Sequence, residues 1–205
     1  MYNKIIKRFL DIVLSTVGII ILGIPMIVIS ICVKLDSKGP VLFKQKRVGI
    51  HKKHFNILKF RSMPTDTPKD MQTHQLQNAE DRLTKFEKFI RKYSVDELPQ
   101  LFNIFAGQMS VVGPRPALYN QYDLIEARDL YGANDVRPGL TGWAQINGRD
   151  ELPIDVKAAF DGEYVKKLSF AFDCKCVFGT FFKVIKHEGV VEGGTGALHT
   201  KESSD

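Results

Sequence analysis

Ser94-Val95-Asp96-Glu97 places two adjacent carboxylates just ahead of an apolar helical run. Two uses fit that spacing. Ser94 as N-cap with Glu97 three residues later makes a capping box, which would claim Glu97 for structure alone. Asp96 is not needed by such a cap, and near a helix N-terminus its ionised form is favoured, which suits a nucleophile or a metal ligand. Arg115 stands between Pro114 and Pro116. Prolines on both sides restrict the backbone, so the guanidinium loses less freedom in gripping a phosphate at two points; a solvent-exposed turn arginine is the alternative. Arg137-Pro138-Gly139-Leu140-Thr141-Gly142-Trp143 adds glycines that permit close backbone approach to a ligand, and one aromatic that could stack or pack. With Lys59, Arg61 and Arg91, these residues describe many cations around a carboxylate pair, suited to a diphosphate and a divalent metal.

The elements that must position them are partly readable. Pro40 to Phe60 alternates apolar and basic residues around Gly49, which predicts two short strands in a hairpin. Pro64–Arg82 has few large apolar residues and two prolines, the signature of a loop. Leu83–Arg91 reads as a helix, Ser94 opens another that ends by Gly107, and a third is centred on Gln121–Leu130.

Ile12 to Val33 runs 22 residues without a charge. As a helix it would be about 33 Å long, the thickness of a bilayer core. Basic residues flank both ends: Lys4, Lys7 and Arg8 before it, and Lys34, Lys38, Lys44, Lys46 and Arg47 after it. A single span would put one basic flank outside, against the positive-inside tendency. Pro25 near the middle predicts a kink, and Ser15 and Thr16 could help satisfy carbonyls freed nearby. A re-entrant helix–break–helix hairpin satisfies both facts, and an ordinary kinked span is the alternative. Between Phe170 and Ile185 a helical wheel gathers Phe170, Cys174, Val177, Phe178, Phe181, Val184 and Ile185 on one face. Lys175, Lys183 and Lys186 fall opposite, with Asp173. Such a helix could lie in the headgroup plane or turn its aromatics to a core.

Composition and length leave room for one medium domain plus an appendage. The 205 residues are 44% hydrophobic and 25% charged, with a net charge of +6, which excludes a disordered chain and a multi-pass bundle. Met1–Met63 holds 12 Lys and Arg against only Asp11 and Asp36. That basic third reads as contact with phosphates of lipid or nucleic acid, and the apolar segment beside it favours lipid. Three cysteines cannot form a disulfide framework, and Cys174 and Cys176 lack further zinc ligands at useful spacing. They read as small packing residues.

The motifs occur in a recognisable order. Lys7-Arg8, Lys59-Phe60-Arg61-Ser62-Met63, Ser94 to Leu101, Gly113-Pro114-Arg115-Pro116 and Arg137 to Gln145 resemble the bacterial sugar transferase family, small monotopic phosphoglycosyl transferases, from Tyr2 to about Gly189. The chain looks like the family's minimal catalytic form. The resemblance implies an α/β, mainly helical fold: a re-entrant membrane helix over 1–36, a catalytic domain with a short β-hairpin and amphipathic interfacial helices over 37–190, and a flexible tail over 191–205. It implies Asp96 as nucleophile, Glu97 as its partner, and Mg²⁺ held by both. Arg115 would bind phosphate, as would Lys59, Arg61, Arg91 and Arg137, and Asp161 matches a further acidic position. The family's membrane break is often Ser-Pro, where this chain has Ile24-Pro25. The implied reaction moves a sugar 1-phosphate from a UDP-sugar to undecaprenyl phosphate at the cytoplasmic membrane face, with no nucleic-acid partner and with downstream glycosyltransferases as possible partners. Ala117–Gln121 resembles transferases for N-acetylated amino sugars, often deoxygenated at C6. A non-catalytic, membrane-anchored basic adaptor for anionic lipid or nucleic acid is the competing reading. It leaves Asp96-Glu97 among phosphate-type motifs unexplained.

Overall fold

The computed structural model describes residues 2–67, 82–148 and 152–186. Most of the loop expected over Pro64–Arg82, and all of the tail expected over 191–205, lie outside the described residues.

The apolar run forms α1 (Lys7–Asp36), entered through a wider helical turn at Tyr2–Ile6. Among the described residues it is the one helix long and apolar enough to cross a membrane. α1 stays helical through Pro25, with no linker dividing it in two. Ser15 does not serve that point; its Oγ donates to the Ile12 carbonyl at 3.1 Å. A narrow stripe at helical spacing, Leu22, Met26, Ile29 and Val33, packs on Phe60 and Ile90. The opposite side is unpacked: Ile20, Ile21, Ile24 and Ile27 are 73%, 67%, 76% and 61% exposed.

Both ends of α1 are tied to the same globular body. At the start, buried Lys7 donates to Asp173 at 2.6 Å, and buried Asp11 accepts from Ser110 Oγ and the Val111 N–H, each at 2.9 Å. Arg8 donates to the Ile104 and Phe105 carbonyls at 2.7 and 2.8 Å. Lys7 and Arg8 are thus internal ties, which corrects their reading as a basic flank for phosphate groups. At the far end Arg61 grips the carbonyls of Val33, Ser37 and Pro40, and Thr84 Oγ1 donates to Asp36 at 2.7 Å.

The expected hairpin is present. β1 (Leu42–Val48) and β2 (His54–Phe60) pair antiparallel, with Phe43 opposite Lys59. α2 (Lys85–Lys92) follows and leads into a tight 3₁₀ turn at Val95–Glu97, then α3 (Gln100–Phe105). Asn103 of α3 accepts from the Leu58 N–H and donates to the Asn56 carbonyl, each at 2.9 Å, which fixes α3 along the β2 edge. The chain continues through β3 (Ser110–Val112), α4 (Tyr122–Asp129), β4 (Gly139–Thr141), α5 (Trp143–Ile146), α6 (Ile154–Lys166) and α7 (Phe170–Lys186).

β3 and β4 form a second, parallel pair that needs three glycines. A Cβ on Gly139 would fall 2.1 Å from the Gly113 nitrogen, and one on Gly142 would fall 2.0 Å from the Gly113 oxygen. These glycines therefore admit close approach of another backbone segment, which corrects their reading as a cradle for a ligand. α7 presents Phe170, Val177, Phe178 and Phe181 to the outside and not to a core. Asp173, expected on its lysine face, is buried against α1 and α6.

The capping box sits elsewhere than expected. Ser94 makes no side-chain cap bond and adopts a left-handed conformation, φ 54°. Thr84 caps α2 instead, accepting from the Glu87 N–H at 3.0 Å while Glu87 accepts from the Thr84 N–H at 3.1 Å. Thr84→Ala is therefore expected to cost about 1 kcal/mol, whereas Ser94→Ala costs at most about 0.5 kcal/mol. Chemical-denaturation midpoints of the two variants check the order.

Candidate active site

The turn carrying the two carboxylates is built by the segments on either side of it. Val95 and Leu98 pack into the core formed by α1, β2 and α2, so Asp96 and Glu97 between them are fixed relative to the β2 end. The left-handed Ser94 lets the chain reverse directly after α2, whose last turn carries Arg91. Without that reversal Asp96 would continue along the helix axis.

Glu97, freed from capping, is the hub of an ion network. Its Oε1 accepts from Lys59 Nζ at 2.7 Å and from Arg115 at 3.2 Å. Asp96 is buried and accepts from Ser62 Oγ at 3.3 Å. Burial pushes its carboxyl up to about 6; Lys59 and Arg91 pull it down, and the Glu97 charge adds to the rise. Asp96 is thus a buried carboxyl whose burial favours the neutral form while the nearby cations favour the carboxylate. Ser62, which lies in the Lys59–Met63 motif, gave no signal of its own; only its place just past the strand end brings its hydroxyl to Asp96.

The structure brings Lys59, Arg91 and Arg115 together with Asp96 and Glu97. It places the other candidates elsewhere. Arg61 is buried and its guanidinium donates to the Val33, Ser37 and Pro40 carbonyls at the end of α1. Arg137 donates to the Gly107 carbonyl at 3.0 Å beyond the end of α3, beside Arg8, and so braces that end. Asp161 of α6 is fully buried and paired with Arg128 of α4, at 2.8 Å from Nε and 2.6 Å from Nη2. Burial pushes its carboxyl up and Arg128 opposes the shift. It joins two helices and is not gathered with the dyad. Trp143 packs: its Nε1 donates to Glu163 at 2.6 Å, its ring lies 4.9 Å from Phe172, and Lys175 sits 4.6 Å over it.

Comparison with known proteins gives the family. The model of the bacterial sugar transferase family matches residues 2–187. The chain belongs to that family. It is 43% identical over 190 residues to a UDP-glucose:undecaprenyl-phosphate glucose-1-phosphate transferase of Escherichia coli, covering 88% of this chain and 40% of that protein. It is 39% identical to the uncharacterized sugar transferase EpsL of Bacillus subtilis, covering 91% of this chain and 90% of EpsL. A UDP-N-acetylgalactosamine-undecaprenyl-phosphate N-acetylgalactosaminephosphotransferase of Aeromonas hydrophila is 37% identical, over 88% of this chain and 44% of its own length. The chain therefore spans about two fifths of several relatives and nearly the whole of another. The family match takes in α1 together with the dyad, Arg115 and α7.

Proposed function

We propose that the chain transfers a sugar 1-phosphate from a UDP-sugar to undecaprenyl phosphate, releasing UMP, as the first membrane step of a capsule, exopolysaccharide, O-antigen or glycoprotein glycan. The carrying observation is buried Asp96 beside a Glu97 already neutralised by Lys59 and Arg115. That arrangement leaves Asp96 as the carboxylate available for attack. Its oxygen bonds to the β-phosphorus, the bond to the bridging oxygen breaks, and UMP leaves with that electron pair. A phosphate oxygen of the lipid acceptor then bonds to the same phosphorus and returns Asp96 to a carboxylate. Lys59, Arg91 and Arg115 offset the repulsion between anionic reactants. A covalent intermediate lets a soluble donor and a lipid acceptor use one site in turn.

Mg²⁺ is part of this reading. Among the described residues no three His, Cys, Asp or Glu side chains converge on one point, and the carboxylates at this site are Asp96 and Glu97. Such a pair fits Mg²⁺, which commonly takes one or two carboxylates and completes its shell with substrate phosphates and water. When bound it would supply charge neutralisation at the diphosphate.

Contact with a membrane face is supported by the exposed apolar sides of α1 and α7, and the cytoplasmic side follows in this reading from the need for a nucleotide sugar. Because both ends of α1 are tied to one globular body, α1 entering and leaving the bilayer by one face, turning near Pro25, accounts for the ties better than a span. Lys34, Lys38, Lys44 and Lys46 remain exposed beside it for anionic headgroups. The donor sugar we assign is N-acetylated, amino or deoxyamino, on the Ala117–Gln121 segment. Ala117 and Leu118 are buried there, which leaves Tyr119, Asn120 and Gln121 to meet a sugar. Downstream glycosyltransferases would take the product.

Radiolabelled sugar supplied as UDP-sugars of several kinds is expected to appear in organic-extractable lipid, with one amino sugar preferred. A chain that binds vesicles but labels no lipid with any of them would be the basic adaptor instead.

A further inference from the structure

Asp173 opens α7, yet it is buried and accepts from three donors on three other segments. Its Oδ2 takes the Tyr2 hydroxyl and the Lys7 ammonium, each at 2.6 Å, and its Oδ1 takes the Tyr164 hydroxyl of α6 at 2.8 Å. Lys7 and Tyr164 are themselves buried, and Lys7 Nζ lies 6.0 Å from the Tyr164 ring centroid. A buried charge is tolerated only when paired, so the cluster fixes where the start of α1 meets the start of α7. Those two helices carry exposed apolar faces: Phe9, Ile20 and Ile24 on α1, and Phe170, Phe178 and Phe181 on α7. The dyad is held from the opposite end of α1, where Arg61, between Lys59 and Ser62, grips Val33 and Ser37.

We propose that Asp173 is a positioning residue that sets α1 against α7 as one lipid-facing unit, so that the enzyme can use an acceptor embedded in a bilayer, while the attack on the soluble donor proceeds without it. The inference rests on the two-step reading above. If α1 and α7 shift relative to each other, their apolar faces no longer share the headgroup plane, and the acceptor phosphate is presented poorly to Asp96. Donor cleavage needs the β2 end, the end of α2 with Arg91, the 3₁₀ turn and Arg115; the nearest approach of the cluster to these is Tyr164, which also donates to the Val112 carbonyl at 3.1 Å, three residues before Arg115.

Two variants and two readouts test this. Asp173→Asn keeps shape, leaves the Tyr164–Val112 contact in place and strands Lys7, whereas Tyr164→Phe removes one donor to Asp173 and the contact to the Val112 carbonyl without stranding a charge. The first readout is UMP released from UDP-sugar alone; the second is steady-state transfer to undecaprenyl phosphate in phosphatidylethanolamine–phosphatidylglycerol vesicles. Asp173→Asn is expected to keep the first within threefold of the unmodified protein and to lower the second at least tenfold. Tyr164→Phe should show the same selectivity with a smaller loss. Proportional loss of both activities in both variants overturns the proposal and makes the cluster a matter of fold stability; undiminished vesicle transfer in both also overturns it. If the unmodified protein itself releases no UMP without lipid, the two-step reading fails instead, and that result is distinct from either.

Discussion

Asp96→Asn is expected to lower transfer by roughly 10³-fold or more, because the amide is a poor nucleophile and no neighbouring group can take its place. Glu97 is the nearest candidate, but its oxygen is committed to Lys59 and Arg115. The fold should survive, since Asn matches the shape of Asp and the Ser62 hydroxyl can still donate to its carbonyl oxygen. Removing a desolvated carboxyl should leave the melting temperature unchanged or slightly raised. Rates measured alongside a thermal melt check both halves. A correctly folded variant that keeps a tenth of the activity would remove Asp96 from the chemistry.

Lys59→Met has the second-largest expected effect, and it carries a pH signature. Lys59 neutralises Glu97 and also draws the Asp96 carboxyl downward against its burial. In the unmodified protein the limb of kcat/KM for the UDP-sugar should rise with pH through about 6, where Asp96 ionises. Without Lys59 less positive charge favours the carboxylate, so Asp96 ionises only at higher pH and the limb moves upward. The plateau should also fall by about 10²-fold, the usual loss when a charge-stabilising donor is removed from such a site. A pH–rate profile of the variant reports both. A limb that stays in place while the plateau falls would mean that Lys59 acts on substrate alone.

Much of this site was legible in the sequence, and the parts that were not share a physical cause. Asp96, Glu97, Lys59, Arg91 and Arg115 lie on segments whose local pattern was clear: an alternating strand, a short helix, a turn and a Pro-Arg-Pro bend. The spacing alone does not single out the cap, because a local spacing rule has several solutions. Thr84 and Glu87 meet it equally well, and the left-handed turn at Ser94 rules out the other. The carbonyl contacts of Arg61 and Arg137 and the Lys7–Asp173 pair are not visible in the sequence, because residue type reveals charge but not partner, and Lys7 and Asp173 lie 166 residues apart. The β3–β4 pair is illegible in the sequence for the same reason. Its strands are three residues each, and what joins them is glycine-to-glycine contact between distant segments.

The central claim is a covalent phosphosugar on Asp96, formed before any lipid acceptor binds. Mixing the protein with UDP-sugar alone and following UMP together with intact mass tests it most directly. The expected result is a burst of UMP approaching one equivalent of enzyme. The mass should rise by that of a phosphosugar, the adduct should map to the peptide containing Asp96, and polyprenyl phosphate should discharge it. UMP appearing only when polyprenyl phosphate is present, with no adduct at any time, would contradict the account and replace it with direct transfer in a ternary complex.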